Sequence, residues 1–258
     1  MDNQGPIDVS GRPGSGESES KPEPRTVATD RGLGWWTDAW ALFMRNPVMW
    51  VVLGLIFIVA MMAVGMVPLL GGVVIALVLP ALAGGWMLAA RKVQEGGALE
   101  VGDLFLGFQG ERIGPLLVLG ALLLAAMVVI GLVAGVLGAG AAFGVMMGGA
   151  RHSAGGMMAG IGAGFAALAV GFLLGAIVTM AFWFAPALVV FRKTPPIDAL
   201  QLSVNATLKN VVPFLLFSLI YIVASIVASI PFGLGWIVLA PVSLLTAFVS
   251  YRDVFEPS

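Results

Sequence analysis

The sequence predicts an all-α membrane protein in which six transmembrane helices form three repeats of an amphipathic interfacial helix plus a transmembrane hairpin. Hydrophobic residues make up 59% of the chain and charged residues 10%, whereas soluble domains carry about 25% charged residues. Four apolar stretches of 45, 38, 40 and 42 residues contain no charged side chain, at residues 46–90, 113–150, 152–191 and 210–251. Because a soluble core could not bury so much apolar surface, we expect lipid to surround most of the chain.

The first 32 residues predict a disordered cytoplasmic tail. Proline, glycine, serine and glutamate dominate this region, as in residues 13–20, and such segments bury too little apolar area to offset the entropy of ordering. No cleavable signal peptide is visible, so we expect the first apolar span, from Pro47, to act as an uncleaved signal anchor. Residues 33–256 are predicted to form a single integral membrane domain.

The charge-free stretches predict six spans, because a helix crosses the hydrocarbon core in about 20 residues. Breaker residues at 68–72 and 231–235 divide the first and last stretches into two crossings each. A separate helix at residues 136–150 would raise the number to eight, and its glycines disfavour it at about 1 kcal/mol each relative to alanine. Residues 137–156 stay open as a loop, a re-entrant segment or an extension of the helices. The predicted spans are about 47–67, 71–92, 113–136, 158–190, 211–230 and 234–252.

The distribution of lysine and arginine predicts the orientation. With six spans, nine basic residues near the membrane fall on one side and only Arg151 falls on the other. This bias predicts a multi-pass membrane protein with both termini in the cytoplasm. The nine residues are Arg31, Arg45, Arg91, Lys92, Arg112, Arg192, Lys193, Lys209 and Arg252.

A short segment that contains an aspartate precedes each pair of spans. In the second segment, apolar residues recur with helical spacing at Val101, Leu104, Phe105 and Phe108, a pattern typical of a helix lying on the membrane surface. The last helix of each pair contains a proline, at Pro80, Pro186 and Pro241. We therefore predict three units at about 33–93, 99–193 and 195–256.

Three short motifs carry a resemblance to known proteins. They are Asn46-Pro47, Phe191-Arg192-Lys193 and Ser250-Tyr251-Arg252-Asp253. Over residues 33–256 the chain resembles a family of uncharacterised proteobacterial inner-membrane proteins with six helices. It is distantly similar also to the membrane domain of glycerophosphodiester phosphodiesterases, although we find no soluble phosphodiesterase domain in the sequence. The resemblance implies an inner-membrane location and brings no reaction or catalytic residue.

The candidate polar contacts are three aspartates and three arginines near the span ends. One interpretation is that each aspartate stabilises its own short helix near the positive N-terminal end, worth about 0.3–1 kcal/mol. The other is that the aspartates pair with the arginines and lock each short helix to a hairpin. The residues are Asp38, Asp103, Asp198, Arg91, Arg192 and Arg252.

Soft ligands also occur in one segment, because methionines flank His152 within residues 146–158. Thioether and imidazole groups suit Cu(I), but we favour a flexible non-cytoplasmic loop with methionines at the interface. The chain has no cysteine and only one histidine, so we expect no metal site and no cofactor.

Small, aromatic and hydroxyl residues within the spans each allow a structural interpretation. Glycine spacings at 131/135, 156/160/164 and 171/175 match close helix packing, which we expect within one subunit, with homo-oligomerisation as the alternative. Tryptophans near the span ends are typical of interfacial belts. Hydroxyl groups such as those of Ser218 and Ser225 are expected to bond the carbonyl one turn earlier, with a polar substrate path as the alternative.

These observations predict a non-enzymatic protein that organises membrane lipids or protein partners. No serine has a histidine or lysine that could activate it inside the membrane. The proline-containing helices favour a second hypothesis, a transporter or permease for a neutral or lipid-like small molecule, although ion-coupled transport usually needs an intramembrane acid. Expected partners are the lipid bilayer and either a membrane protein or a second copy. The net charge of −1 argues against nucleic acid.

Overall fold

The computed structural model describes residues 23–68, 70–151 and 153–256, and all regular structure in these ranges is helical. Six helices are long and apolar enough to cross a membrane, which confirms the predicted number of spans. The elements are α1 (Arg31–Phe43), α2 (Pro47–Gly65), α3 (Leu70–Gln94), a 3₁₀ segment (Val101–Phe108), α4 (Ile113–Ala150), α5 (Ala154–Arg192), α6 (Pro196–Lys209), α7 (Val211–Ser229) and α8 (Trp236–Phe255). The six spanning helices are α2, α3, α4, α5, α7 and α8.

The middle hairpin is longer than predicted. Helices α4 and α5 contain 38 and 39 residues, so both helices extend beyond the span ends expected at 136 and 158. The glycine cost is offset by close packing, because Gly148 lies against the backbone of Met157 and Gly160 against that of Val145. The connection is short, and Ser153 begins α5 by accepting a 3.2 Å hydrogen bond from the Gly156 amide. Residues 137–156 are therefore mainly helix extension.

Three helices form the centre of the bundle. Helices α3, α5 and α8 pack against one another, and each is the second helix of its hairpin. Each also contains one of the three prolines, Pro80, Pro186 and Pro241, and all three are buried. Helix α2 packs on α3 and α8, and α4 packs on α5 and α3, whereas α7 packs closely on α8 and α1 and less closely on α5.

The short segments pack on the second helix of a different hairpin from the one they precede. Helix α1 packs on α8, the 3₁₀ segment packs on α3, and α6 packs on α5. Small residues permit this approach, because a Cβ at Gly107 would collide with the Ala81 carbonyl and one at Gly85 with the Leu104 carbonyl. The second segment is a 3₁₀ rather than an α-helix.

Two large apolar side chains of α6 do not face the bundle. Ile197 and Leu208 are more than half exposed, whereas the smaller Ala199, Ser203 and Ala206 are buried against the neighbouring helices. The reason is geometric, since small side chains let α6 approach α5 closely. The large apolar side chains remain available to lipid, as an interfacial helix requires.

The core lies at the end of the bundle near these short segments. Its largest fully buried side chains include Trp35, Trp50, Trp86, Phe184 and Phe248. The prediction of interfacial belts is therefore wrong for these three tryptophans. They fill the space between packed helices, where Trp50 and Trp86 lie with ring centroids 5.3 Å apart.

Candidate functional site

The charged face is the end of the bundle where α3, α5 and α8 finish and where the short segments lie. Each of these three helices carries an arginine in its last turn, namely Arg91, Arg192 and Arg252. Basic groups there complement the negative ends of the helix dipoles. The charged face is our candidate functional site because it contains charged side chains, which the apolar stretches of the spans lack.

Asp253 joins the two ends of the described chain. Its Oδ2 atom accepts a 2.5 Å hydrogen bond from Arg31 Nε and a 2.8 Å bond from Trp35 Nε1. Its backbone carbonyl accepts a 2.9 Å bond from Arg25 Nε. Arg31 also pairs with Asp38 at 2.7 Å. The hydrogen bond to Asp253 is the main cause that raises the pKa of Arg31 above its usual value, so this guanidinium stays charged.

A second group of contacts joins the ends of α3, α5 and α8. The Arg91 guanidinium pairs with Glu256 and lies 3.9 Å above the Phe191 ring. Arg192 donates a 2.8 Å hydrogen bond to the Phe255 carbonyl, and Arg252 Nε lies 3.6 Å from Glu256. These contacts hold the three central helices together at the charged face.

Asp103 fixes the 3₁₀ segment to α3. Its carboxylate lies 3.0 Å from Lys92 Nζ and accepts a 2.8 Å hydrogen bond from the Glu100 amide. The Asp103 side chain is only 7% exposed, whereas that of Lys92 is 35% exposed. The local and tertiary roles expected for an aspartate in such a segment are thus combined at Asp103.

Among the described residues, none of the three aspartates pairs with Arg91, Arg192 or Arg252, so the second interpretation is wrong. Helix α1 begins at Arg31, so Asp38 lies well past its first turn and pairs along the helix. Asp103 pairs with Lys92, because Arg91 faces Glu256 and Phe191. Asp198 lies in the first turn of α6, as the helix-dipole interpretation requires, and makes no ion pair or hydrogen bond to the described residues.

Two further polar residues were missed by sequence reasoning. Asn210 Nδ2 donates to the Arg25 carbonyl at 3.0 Å, and its Oδ1 accepts from the Val27 amide at 2.8 Å. Ser203 Oγ donates to the Met180 carbonyl at 2.6 Å and accepts from the Phe184 amide at 3.0 Å. Their only signal in the sequence is a polar side chain beside an apolar span.

The Ser203 hydroxyl lies between two backbone groups of α5 that would otherwise bond each other. Met180 and Phe184 are four residues apart, the spacing of an α-helical hydrogen bond. The hydroxyl thus bridges these two groups shortly before Pro186, which itself has no amide proton to donate. Insertion of a side chain into the hydrogen-bond ladder is a recognised cause of helix bending.

A cavity of about 330 Å³ opens at the charged face. Its charged lining is balanced, with three basic and three acidic side chains, from Arg25, Asp38, Arg45, Arg252, Asp253 and Glu256. Several are engaged elsewhere, since Arg45 donates to the carbonyls of Val93 and Gln94 at the end of α3. Among the residues described, no cluster of three or more histidine, cysteine or acidic side chains could hold a metal ion. The hypothesis of copper binding near His152 falls partly outside the described residues.

The hydroxyl groups within the spans bond mainly to their own helices, as expected. Thr179, Ser218, Ser225 and Ser229 each donate to the carbonyl four residues earlier, at 2.6–2.9 Å.

The glycine spacings divide into two classes. Those at 156 and 160 pack within the middle hairpin, which confirms the expected intrasubunit contact, whereas those at 131, 135, 171 and 175 face open space.

Comparison with known proteins assigns the chain to a family. Residues 36–253 match the pattern of a domain of unknown function (DUF7847). The chain belongs to this family. A relative in Burkholderia thailandensis, named a probable inner membrane protein, is 31% identical over 215 residues that cover 81% of this chain and 78% of the relative. No solved structure matches, and the expected similarity to glycerophosphodiester phosphodiesterases finds no support in these comparisons.

Proposed function

We propose that this protein is a non-enzymatic protein of the bacterial inner membrane that binds lipids or protein partners and organises them around the charged face. The proposal rests on the observation that charged side chains at that face pair with one another. Ion pairs such as Arg31–Asp253, Arg91–Glu256 and Lys92–Asp103 tie helix ends together. They build a rigid platform, whereas catalysis requires a nucleophile and a base directed at one reacting centre.

The membrane interior supports the same proposal. The serine and threonine hydroxyls of the described spans donate to carbonyls of their own helices, so none of them is held by a base that would activate it. The central helices are packed together, and their three prolines are buried. Such an interior suits a scaffold whose partners bind at its surface.

A transporter for a neutral or lipid-like molecule is the second candidate. The Ser203 hydroxyl bonds the Met180 carbonyl and the Phe184 amide of α5 close to Pro186, and interrupted helices supply moving parts in many transporters. Against this function, none of the four cavities described for this protein is lined by Pro80, Pro186 or Pro241. A polar path at the bilayer midplane would be expected to reach these breaks.

The threefold repeat and the cytoplasmic position of both termini are part of the proposal. The repeat is supported by three contacts of the same kind. In cyclic order, each short segment packs on the second helix of the preceding hairpin: α1 packs on α8, the 3₁₀ segment on α3, and α6 on α5. The excess of lysine and arginine on the charged face supports the orientation.

The test is extraction of the full chain from its native membrane in polymer-bounded lipid discs, followed by native mass spectrometry. We expect a phospholipid or a protein partner to remain bound after the bulk lipid is removed. A chain that keeps neither would contradict the proposed function. Uptake of a neutral solute by proteoliposomes, absent from empty vesicles, would instead favour the transporter.

A further inference from the structure

We propose that the groove between α5 and α7 binds one acyl chain of a phospholipid, with the phosphate of its headgroup beside Lys209. This inference rests on the proposed lipid-binding function and names its ligand and its site.

The first argument is a missing helix contact. At two places in the bundle, the first helix of one hairpin packs closely on the second helix of the preceding hairpin. Helix α2 packs in this way on α8, and α4 packs on α3. The corresponding contact of α7 with α5 is loose. Aromatic side chains bridge it, with the Trp183 ring centroid 5.6 Å from that of Phe214 and 5.2 Å from that of Phe217. The bundle is thus open to lipid at one of three comparable positions.

The second argument is the shape and chemistry of the opening. The groove has a volume of about 450 Å³, within the range of roughly 300–1,000 Å³ that is usual for ligand sites. Its walls are mostly apolar. They come from α5 between Phe172 and Trp183, from Thr207 on α6, and from α7 between Val211 and Ser218.

The polar atoms of the groove are already engaged, so the groove favours an apolar ligand. The hydroxyls of Thr179 and Ser218 donate to the carbonyls of Gly175 and Phe214, and Trp183 Nε1 donates to Ser250. Little hydrogen-bonding capacity remains for a sugar, an amino acid or another polar solute. An aliphatic chain needs none.

The length of the groove selects an acyl chain. Phe172 and Trp183 are eleven positions apart on α5, which corresponds to about 16 Å along the helix. Half of the hydrocarbon core is about 15 Å thick. The groove therefore extends over one leaflet, on the side where α5 approaches the charged face.

The charge at one end of the groove matches a phospholipid headgroup. Lys209 lies in the chain between Thr207 and Val211, both of which line the groove. It lies in the last turn of α6 and is exposed at the charged face, where its Nζ atom donates a long hydrogen bond of 3.5 Å to the Pro24 carbonyl. A phosphate is attracted to such a cation at the membrane surface, while the acyl chain extends along α5.

The experiment uses the full chain in detergent, stripped of lipid and titrated with phosphatidylglycerol, with native mass spectrometry as the readout. Gly175→Leu fills the groove without a clash, because a Cβ there meets nothing within 4 Å. We expect it to lower the affinity about tenfold. Gly162→Leu is the matched control, since it lies on the same helix, also faces open space and does not line the groove. Ser218→Leu fills the groove from the α7 side and should have the same effect as Gly175→Leu.

The headgroup is tested separately. Lys209→Gln should reduce the preference for phosphatidylglycerol over phosphatidylcholine, whereas Lys193→Gln, at the end of α5, should leave it unchanged. If both groove variants bind phosphatidylglycerol like the wild type, the inference is overturned, while lipid binding elsewhere would leave the proposed function standing. If the wild type retains neither lipid nor protein partner from native membranes, the proposed function itself fails.

Discussion

Arg31, the first residue of α1, donates a 2.5 Å hydrogen bond to the carboxylate of Asp253, two residues before the end of α8. The contact joins residues 222 positions apart in the chain. It holds the first helix on the last hairpin and thereby closes the ring of short segments at the charged face.

Asp253→Asn should destabilise the protein by about 1.5–3 kcal/mol, the range for hydrogen bonds to charged groups. The change weakens the bonds from both Arg31 and Trp35. The measurement is thermal unfolding of the purified protein in detergent. Asp198→Asn is the control, because it removes only a helix-dipole interaction of about 0.3–1 kcal/mol. Equal losses in the two variants would contradict the role of Asp253 as a tertiary contact.

Lys92→Gln should cost more stability than Asp103→Asn. The lysine variant leaves the carboxylate of Asp103 buried without its cation, a loss of up to about 3–5 kcal/mol. The asparagine variant removes the charge itself and retains a hydrogen-bonding side chain. Chemical or thermal unfolding of both variants gives the order, and a reversed order would show that the ion pair does not hold the 3₁₀ segment.

Ser203→Ala should destabilise the protein by about 1–3 kcal/mol, since it removes two hydrogen bonds between α6 and the backbone of α5. Ser218→Ala is a suitable comparison, because its hydroxyl donates only within its own helix. Helical content and unfolding temperature would be measured for both. A Ser203→Ala protein as stable as the wild type would mean that α5 closes its own hydrogen bond when the hydroxyl is removed.

Tyr251→Phe should change stability by less than about 0.5 kcal/mol. The ring is fully buried, and its hydroxyl lies near the Arg192 guanidinium but makes no hydrogen bond of normal geometry to the described residues. Removing a hydroxyl without a partner is nearly neutral, since no hydrogen bond is lost with it. A clear destabilisation in thermal unfolding would reveal a partner for the phenol, such as a buried water molecule.

The orientation can be tested in a simple way because the chain contains no cysteine. A single cysteine at Gly155, beside the tip of the middle hairpin, should react in intact spheroplasts with a maleimide that cannot cross the membrane. A single cysteine at Glu95, at the charged face, should react only after the membrane is opened. The reverse pattern would place the termini outside the cytoplasm.

The spans could be predicted from the sequence because lipid imposes one strong requirement. Backbone groups in hydrocarbon must be satisfied within a helix, so a charge-free stretch reveals its crossings directly. The extent of the middle hairpin could not be predicted in this way. The intrinsic cost of glycine argues against a helix, and only the contacts of Gly148 and Gly160 with the facing helix offset it.

The partners of the charged residues also could not be predicted from the sequence. Asp38, Asp103 and Asp198 look equivalent in the sequence, yet the structure pairs the first with Arg31 and the second with Lys92, and gives the third no ion pair within the described residues. Such choices depend on which helix end lies beside each segment, and this is set by packing between units that no local pattern encodes. The groove between α5 and α7 depends on the same packing.

The middle hairpin also affects the bilayer around the protein. With 38 and 39 residues, its helices are about 57 Å long, whereas the hydrocarbon core is about 30 Å thick. Helix α7, with 19 residues, is about 28 Å long and matches that thickness. An apolar hairpin of such length is accommodated by tilting or by local thickening of the bilayer. We therefore expect hydrophobic mismatch where the middle hairpin meets lipid and none where α7 meets it, so lipids and other membrane proteins would encounter unequal surfaces around the bundle.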